Sequence, residues 1–401
     1  MNHRDNAIEN ASNILASQIP ENPESIVSSL DISPLTFHHH YIQIRGIHVP
    51  DRISRIIVGS QVMFKEFHFR LSMSLAGHVE KIPMKIPLME AGDTPYHLKG
   101  NILSFYGKPL LDIEAEEIPL PEKDTPRHLK GYSLPFLGTR NPFHELRLNP
   151  KNTGRCPGHC QFCHRPYSHR LKPNNPKIPC PQELIVDITR RYGEDVFTKV
   201  NRIKVITELF GIESQKLDFL EEIHRLLLSK GYDVTKGFEC ASSDVRSAAG
   251  LAKLLKLVNP KRYSFSVEVF SNRNVLMSKF KGLPLTDVIE LLEQARKIGF
   301  EEIQINYIAG LESIEAFRDG INLLVKKRLI DSIGISVFTP FFLNQVSLRV
   351  PEGWKTEYYY QMKQILQEHN VPIYNSESYE MSSPFFQNGF QAMSFSEMSA
   401  R

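Results

Sequence analysis

The spacing of apolar positions changes character along the chain. From residue 143 onward, short strand-like apolar runs alternate with longer stretches of helical period. Residues 143–148, 202–207, 236–241, 263–270, 302–308 and 332–338 read as strands. Residues 181–192, 216–230, 245–258, 284–298, 314–326 and 354–369 read as the helices that follow them. Six β/α units in a row predict an α/β fold with a parallel sheet and right-handed crossovers. In such sheets active groups gather at the C-terminal ends of the strands.

The stretch before these units is different. Residues 1–34 predict two short helices, the second started by Asn22-Pro23 and ended before Pro34. Residues 35–120 alternate as half-buried strands do, at Tyr41-Ile42-Gln43-Ile44-Arg45 and His68-Phe69-Arg70-Leu71-Ser72-Met73. Prolines at 50, 83, 87, 95, 109, 119 and 121 punctuate the region, which therefore reads as mainly β or irregular. Residues 121–142 read as a linker rich in proline and glycine. The expected division is an N-terminal accessory region (1–125), a catalytic domain (126–370) and a tail (371–401) that closes the mouth of the sheet.

Composition narrows the class. The chain has 401 residues, 41% hydrophobic and 23% charged, enough for a large core and a smaller second domain. The formal net charge is +3 without a basic tract, which argues against nucleic acid or an anionic membrane as partner. No signal peptide and no membrane-spanning run is read. Five cysteines in such a chain fit a reducing cytoplasm.

Three of those cysteines carry the candidate chemistry. Cys156-Pro157-Gly158-His159-Cys160-Gln161-Phe162-Cys163 follows the first strand of the α/β region and brings three thiols together at C-x3-C-x2-C spacing. An odd number does not make a disulfide framework, and so tight a loop suits a shared inorganic partner. Three thiolates on a four-iron cluster leave one iron open to a small molecule. The other reading is a zinc-stabilised binding module without catalysis, with His164 completing a Cys3His set; Cys163 and His164 are adjacent, which strains a tetrahedron. The tract His38-His39-His40 reads as a surface or edge-strand feature, since consecutive residues of a strand face opposite ways.

The cysteine spacing and the aromatic Phe162 before the last cysteine resemble the cluster loop of the radical SAM superfamily. The resemblance spans residues 140–345 and implies a partial (β/α)6 TIM-like barrel, loosely similar to the biotin and lipoyl synthase branch. It implies a [4Fe–4S] cluster on Cys156, Cys160 and Cys163. It also implies S-adenosyl-L-methionine as the molecule on the open iron, cleaved to a 5′-deoxyadenosyl radical. A small-molecule substrate and a flavodoxin or ferredoxin reductant would be the partners. Transfer of the 3-amino-3-carboxypropyl group is the alternative use of the same cluster.

Matched residue by residue, the resemblance nominates cofactor-binding positions. Glu208-Leu209-Phe210-Gly211-Ile212-Glu213 stands where the family has a Gly-Gly-Glu segment for the amino group, with one glycine missing. Gly211 would bring backbone close, and Glu208 or Glu213 would accept from the ammonium; a helix-capping or exposed acid is the other reading. Glu268, at the end of the fourth strand, suits the ribose hydroxyls, or else a structural ion pair. Ile308 and Gly310 would flank the adenine, and Val337-Phe338-Thr339-Pro340 would offer it backbone. Arg246 is a candidate for the methionyl carboxylate, against a surface helix arginine. Cys240, at the end of the third strand, would face the interior and donate hydrogen, or else be an inert buried thiol. Glu239, Asp244, Tyr307 and the segment Tyr374-Asn375-Ser376-Glu377-Ser378 are further pocket candidates. Cys180 is not expected to touch the cluster.

Overall fold

A computed structural model describes residues 9–11, 13–15, 17–18, 21–58, 61–75, 78–117, 132–133, 145–148, 160–163, 180–205, 210, 212–241, 243–279, 281–374 and 384–386. Strands are numbered β1 to β14 in chain order; helices are named by their residues.

After helical residues at 9–11, 13–15 and 17, the accessory region has two capped helices. Asn22 caps Pro23–Leu30, its side chain accepting from the Glu24 and Ser25 amides. Ser33 caps Pro34–Arg45 in the same way, accepting from the Thr36 amide at 3.0 Å, with Pro34 at the first helical position. This second helix corrects the strand expected at 41–45. Phe37, Tyr41, Ile42 and Ile44 are buried, and so are Thr36, Gln43 and Arg45. A helix enclosed on all sides shows no 3.6-residue stripe, and five of its residues imitate alternation.

The same helix corrects the reading of the histidine tract. His38, His39 and His40 are core residues, not surface ones. His38 Nδ1 lies 2.8 Å from the Tyr96 hydroxyl. His40 packs edge-on against Tyr359, with ring centroids 4.4 Å apart, and against Phe385 at 4.9 Å. Burial pulls His38 down to about 4 and His39 to about 3, so the tract is neutral packing material.

Seven antiparallel strands follow. β1 (Arg55–Val58) and β2 (Gln61–Phe64) form a hairpin. β3 (Glu66–Leu75), β4 (His78–Pro87), β5 (Tyr96–Lys99), β6 (Ile102–Phe105) and β7 (Lys108–Glu117) form one sheet in the order β4-β3-β7-β6-β5. The mainly β character expected here is present. Most of the expected linker lies outside the described residues, apart from β8 (Tyr132–Ser133).

The α/β region then unfolds in the expected sequence. Its strands are β9 (Glu145–Leu148), β10 (Arg202–Val205), β11 (Phe238–Cys240), β12 (Arg262–Glu268), β13 (Glu302–Ala309) and β14 (Ser332–Val337). The helices between and after them are Pro181–Tyr192, Glu213–Ser229, Ala248–Leu257, Leu285–Ile298, Ile314–Lys326 and Thr356–Glu368. β9, β10 and β11 pair in parallel, as do β12, β13 and β14. A parallel bridge from Ala241 to Ser264 joins the two sets, so all six strands lie in chain order. The result is a partial (β/α)6 barrel, with β8 added antiparallel on the β9 edge.

Strand alternation gives the barrel two unlike faces. Ile203, Val205, Phe238, Cys240, Tyr263, Phe265, Ile303, Ile305, Ile333 and Ile335 are buried in the main hydrophobic core. Phe238 meets His224 of the helix Glu213–Ser229, which fixes that face toward the helices. The opposite face is polar. Glu239 accepts from Arg262 at 2.8 Å, Arg262 also pairs with Glu302 at 2.6 Å, and Arg202 approaches Glu239 at 3.7 Å. One layer further, Gln304 donates to Asn306 at 3.1 Å and Asn306 to Ser264 at 3.3 Å.

Only residues 371–374 and 384–386 of the expected tail are described. Ile333 donates to the Pro372 carbonyl and Tyr374 to the Ile333 carbonyl, so residues 371–374 extend the free edge of β14. The Tyr374 ring lies 4.6 Å from the Arg262 guanidinium. Both contacts are at the strands' N-terminal ends, opposite the mouth. An unpaired strand edge offers hydrogen bonds to a passing segment, and residues 372–374 take them there. Residues 375–378 lie outside the described residues.

Candidate functional site

The cysteine loop meets the C-terminal ends of β12, β13 and β14. Cys160 and Phe162 are buried in one apolar cluster with Val269, Leu276, Met277, Leu311 and Phe338, and Cys163, Ile308 and Leu348 pack against it. Val269 follows β12, Leu311 follows β13 and Phe338 follows β14. Cys156, His159 and His164 lie outside the described residues, and so do Glu208 and Gly211.

Backbone contacts set the loop's conformation. The Cys163 amide donates to the Cys160 carbonyl at 3.1 Å, which closes a turn, and the Gln161 amide donates to the Leu276 carbonyl at 2.8 Å. The Ser278 amide points at Cys160 Sγ from 3.4 Å. Burial pushes the Cys160 thiol up, and the Lys281 ammonium opposes that rise. Burial also pulls Lys281 down, but Glu268, Cys160 and Cys163 beside it outweigh that and hold it above the usual lysine range.

Glu268 stands at the mouth, and its geometry is unusual. The pairing of β12 with β13 shifts register between Ser266 and Glu268, and Glu268 adopts φ 67°. Such a left-handed conformation at a non-glycine residue is uncommon and is held by its surroundings. Arg273 supplies part of that hold. Its Nη1 donates to the carbonyls of Val267 and Val269, and its Nε donates to Leu283 at 2.6 Å. Glu268 itself ion-pairs with Lys281. Glu268 is therefore a paired carboxylate, placed beside Lys281 and Cys160.

Other nominated residues fall into two groups. Ile308 packs against the apolar cluster. Gly310 has φ +101°, and a Cβ there would lie 3.0 Å from the Tyr359 hydroxyl. Its amide accepts no ligand role freely, since it donates to Tyr358 at 3.2 Å while its carbonyl takes the Val350 amide at 3.0 Å. Phe338 contributes its ring and not its backbone; its amide donates to Ala309 at 2.9 Å and its carbonyl accepts from Arg349.

Several nominated residues serve the scaffold. Glu213 takes the Arg246 amide at 2.7 Å and the Ser247 amide at 3.0 Å, and so caps the next helix from outside. Arg246 turns its Nε back to the Ser243 carbonyl at 2.8 Å and lines an open cleft with Leu283, Asp287 and Glu290. Asp244 accepts from the Phe210 amide at 2.7 Å and pairs with Lys216, which is only 1% exposed. Glu239 belongs to the polar network above. Tyr307 donates to Glu312 at 2.8 Å inside the core. Cys240 shares the helix-facing side of β11 with Phe238, because residues two apart point the same way. That placement corrects its expected position on the barrel interior.

Cys180 has a purely local role. Its sulfur accepts from the Glu183 amide at 3.5 Å, and Glu183 accepts from the Cys180 amide at 3.0 Å, which makes a capping box for Pro181–Tyr192. Sequence reading passed over Arg273, Lys281, Glu312 and Gln345. Of these only Lys281 carried a signal, as a cation thirteen residues from Glu268 on the same strand-end excursion.

Among the described residues no three His, Cys, Asp or Glu side chains gather for a metal ion, the histidine tract included. Two of the three loop thiols are described, sharing one turn within an apolar shell. Soft thiolates so placed fit an iron–sulfur cluster. No described helix is long and apolar enough to cross a membrane.

Residues 152–324 match the model of the Radical SAM superfamily. Similar solved structures include Streptococcus suis SuiB bound to S-adenosylmethionine, at 14% identity over 50% of this chain and 40% of that one, with a TM-score of 0.34. The FeFe-hydrogenase maturase HydG of Carboxydothermus hydrogenoformans is 18% identical over 56% and 51%, with a TM-score of 0.40. Coproporphyrinogen III oxidase (HemN) of Escherichia coli is 14% identical over 46% and 44%, with a TM-score of 0.34. The chain thus spans about half, or less, of the length of these structures. No curated protein matches the chain. Residues 152–324, which contain the cysteine loop and four of the six parallel strands, β10 to β13, are thus a Radical SAM domain, and that superfamily uses a [4Fe–4S] cluster and S-adenosylmethionine.

Proposed function

We propose that this enzyme cleaves S-adenosylmethionine reductively and uses the resulting 5′-deoxyadenosyl radical to abstract hydrogen from a polar small molecule. The observation that carries this reading is the convergence of Cys160 and Cys163 with the ends of β12, β13 and β14. Cys156, Cys160 and Cys163 would hold the cluster, which when bound supplies the electron for sulfonium cleavage.

The chain's own residues supply binding and exclusion. Phe162, Met277, Leu311 and Phe338 keep water from the thiols. Glu268, displaced by the bulge, would accept from ribose hydroxyls while Lys281 neutralises its charge. Ile308 and the Phe338 ring would flank the adenine. On the polar inner face, Gln304 and Asn306 lie nearer the mouth than the Arg262 ion pairs and favour a substrate with polar groups. A flavodoxin or ferredoxin in a reducing cytoplasm would deliver the electron.

Product analysis tests the reading. Anaerobically reconstituted protein with a strong reductant should release 5′-deoxyadenosine from S-adenosylmethionine. Release of 5′-methylthioadenosine in its place would overturn hydrogen abstraction. Glu268→Gln should keep its iron but bind S-adenosylmethionine roughly 10- to 100-fold more weakly, the effect of losing a charge-assisted hydrogen bond. Calorimetry that finds unchanged affinity would remove Glu268 from the nucleoside site.

A further inference from the structure

Among the described residues, the segment that follows β14 packs on the cysteine loop through Phe338 and Leu348 and hydrogen-bonds to it through Gln345. Gln345 lies in the short helix Leu343–Leu348 and is 1% exposed. Its Nε2 donates to the Gln161 carbonyl at 2.7 Å and to the Cys163 carbonyl at 3.4 Å. Its Oε1 accepts from the Phe341 amide at 2.9 Å and the Phe342 amide at 3.1 Å. Both ends of the amide are thus engaged, and one end holds the backbone of two loop residues, one of them a cysteine.

The same segment is stitched to the accessory region. The Phe64 amide of β2 donates to the Phe341 carbonyl at 2.9 Å, and Met63 bridges to Phe342. Arg349 donates to the Ile44 carbonyl of the helix Pro34–Arg45 at 2.9 Å and also to Phe338 at the mouth. Residues 341–349 therefore stand between the N-terminal region and the cluster loop, hydrogen-bonded to both.

We propose that Gln345 is a positioning residue that holds the cysteine loop in its ligating conformation and makes the N-terminal region part of the cluster's support. The loop's own backbone bonds include one internal turn and one contact to Leu276. A peptide carbonyl beside a ligating cysteine turns with that cysteine's backbone, so fixing Cys163 O and Gln161 O limits where the Cys163 sulfur points. Partners one step removed from a metal typically change metal affinity 10- to 100-fold when lost. The proposal rests on the cluster assignment.

Gln345→Met and Gln345→Glu separate the contacts. Methionine keeps the volume and removes every hydrogen bond. Glutamate keeps the acceptors for Phe341 and Phe342 but loses the amide donors to the loop. Reconstituted wild type and both variants are challenged with an iron chelator, and their reduced clusters are compared by electron paramagnetic resonance. Thr356→Val serves as the control for lost stability alone, since it removes a buried hydroxyl bonded to Glu21 and not to the described loop residues. Both Gln345 variants should release iron at least about tenfold faster than wild type and show shifted resonance lines, whereas Thr356→Val should do neither. Wild-type release rates and lines in both Gln345 variants would overturn the clamp alone. Wild-type protein that takes up no iron would overturn the cluster assignment and the clamp with it.

Discussion

Cys160→Ala and Cys163→Ala are each expected to lose the cluster and all reductive cleavage of S-adenosylmethionine. The loss should exceed the roughly 10- to 100-fold effect of removing an outer partner, because a thiolate ligand itself is gone. Cys160 is 6% exposed, and among the described residues it packs with Val269, Leu276 and Met277, while Ser278 presents an amide donor and no ligand. Cys156→Ala is expected to behave alike. Iron and sulfide analysis after anaerobic reconstitution reads the result. Cys180→Ala is the contrasting case. It removes a helix cap, at a cost of about 0.5–2 kcal/mol, and should keep full iron. A Cys163→Ala protein with wild-type iron, or a Cys180→Ala protein without it, would show that the ligand set is wrong.

Glu312→Ala should be the most damaging change that leaves every cysteine in place. Glu312 is 2% exposed, and all its partners are donors. The Phe270 amide reaches both carboxylate oxygens at 3.0 Å, the Ser271 amide and hydroxyl reach one at 2.7 and 2.8 Å, and the Tyr307 hydroxyl reaches the other at 2.8 Å. Alanine would strand these groups in the core, where each unsatisfied donor costs about 1–3 kcal/mol. The expected loss is on the order of 3–5 kcal/mol, since backbone shifts will recover some bonds. Glu312→Gln should not rescue it, because its amide nitrogen would face one set of donors in either orientation. Val269 immediately precedes the held segment, so the mouth should loosen too. Urea denaturation measures the loss; a value under about 1 kcal/mol for Glu312→Ala would show that the carboxylate does not hold this loop.

These two expectations differ in where they came from. The three cysteines are close in sequence, so their partnership is legible from spacing. Glu312 serves residues about forty positions away, and Gln345 serves residues more than 180 away. No local pattern marks either one as different from any other polar residue beside a turn. The six β/α units were legible for the reason the cysteines were: a buried strand and a half-buried helix each write their period into a few consecutive residues. The helix Pro34–Arg45 was not, because a helix surrounded by core on every side has no face to distinguish.

The sequence alone determined the parallel architecture, the strand order's raw material and the cluster chemistry, because periodicity and ligand spacing are local properties. The tertiary structure alone decided which strand ends meet the loop and which way each of their side chains points. It turned Cys240 toward the helices, gave Glu213 and Arg246 to the scaffold, and set Glu268 on a bulge beside Lys281. A strand's two faces are equivalent until something packs on one of them, so inward and outward are settled only when the helices and the barrel close around the sheet.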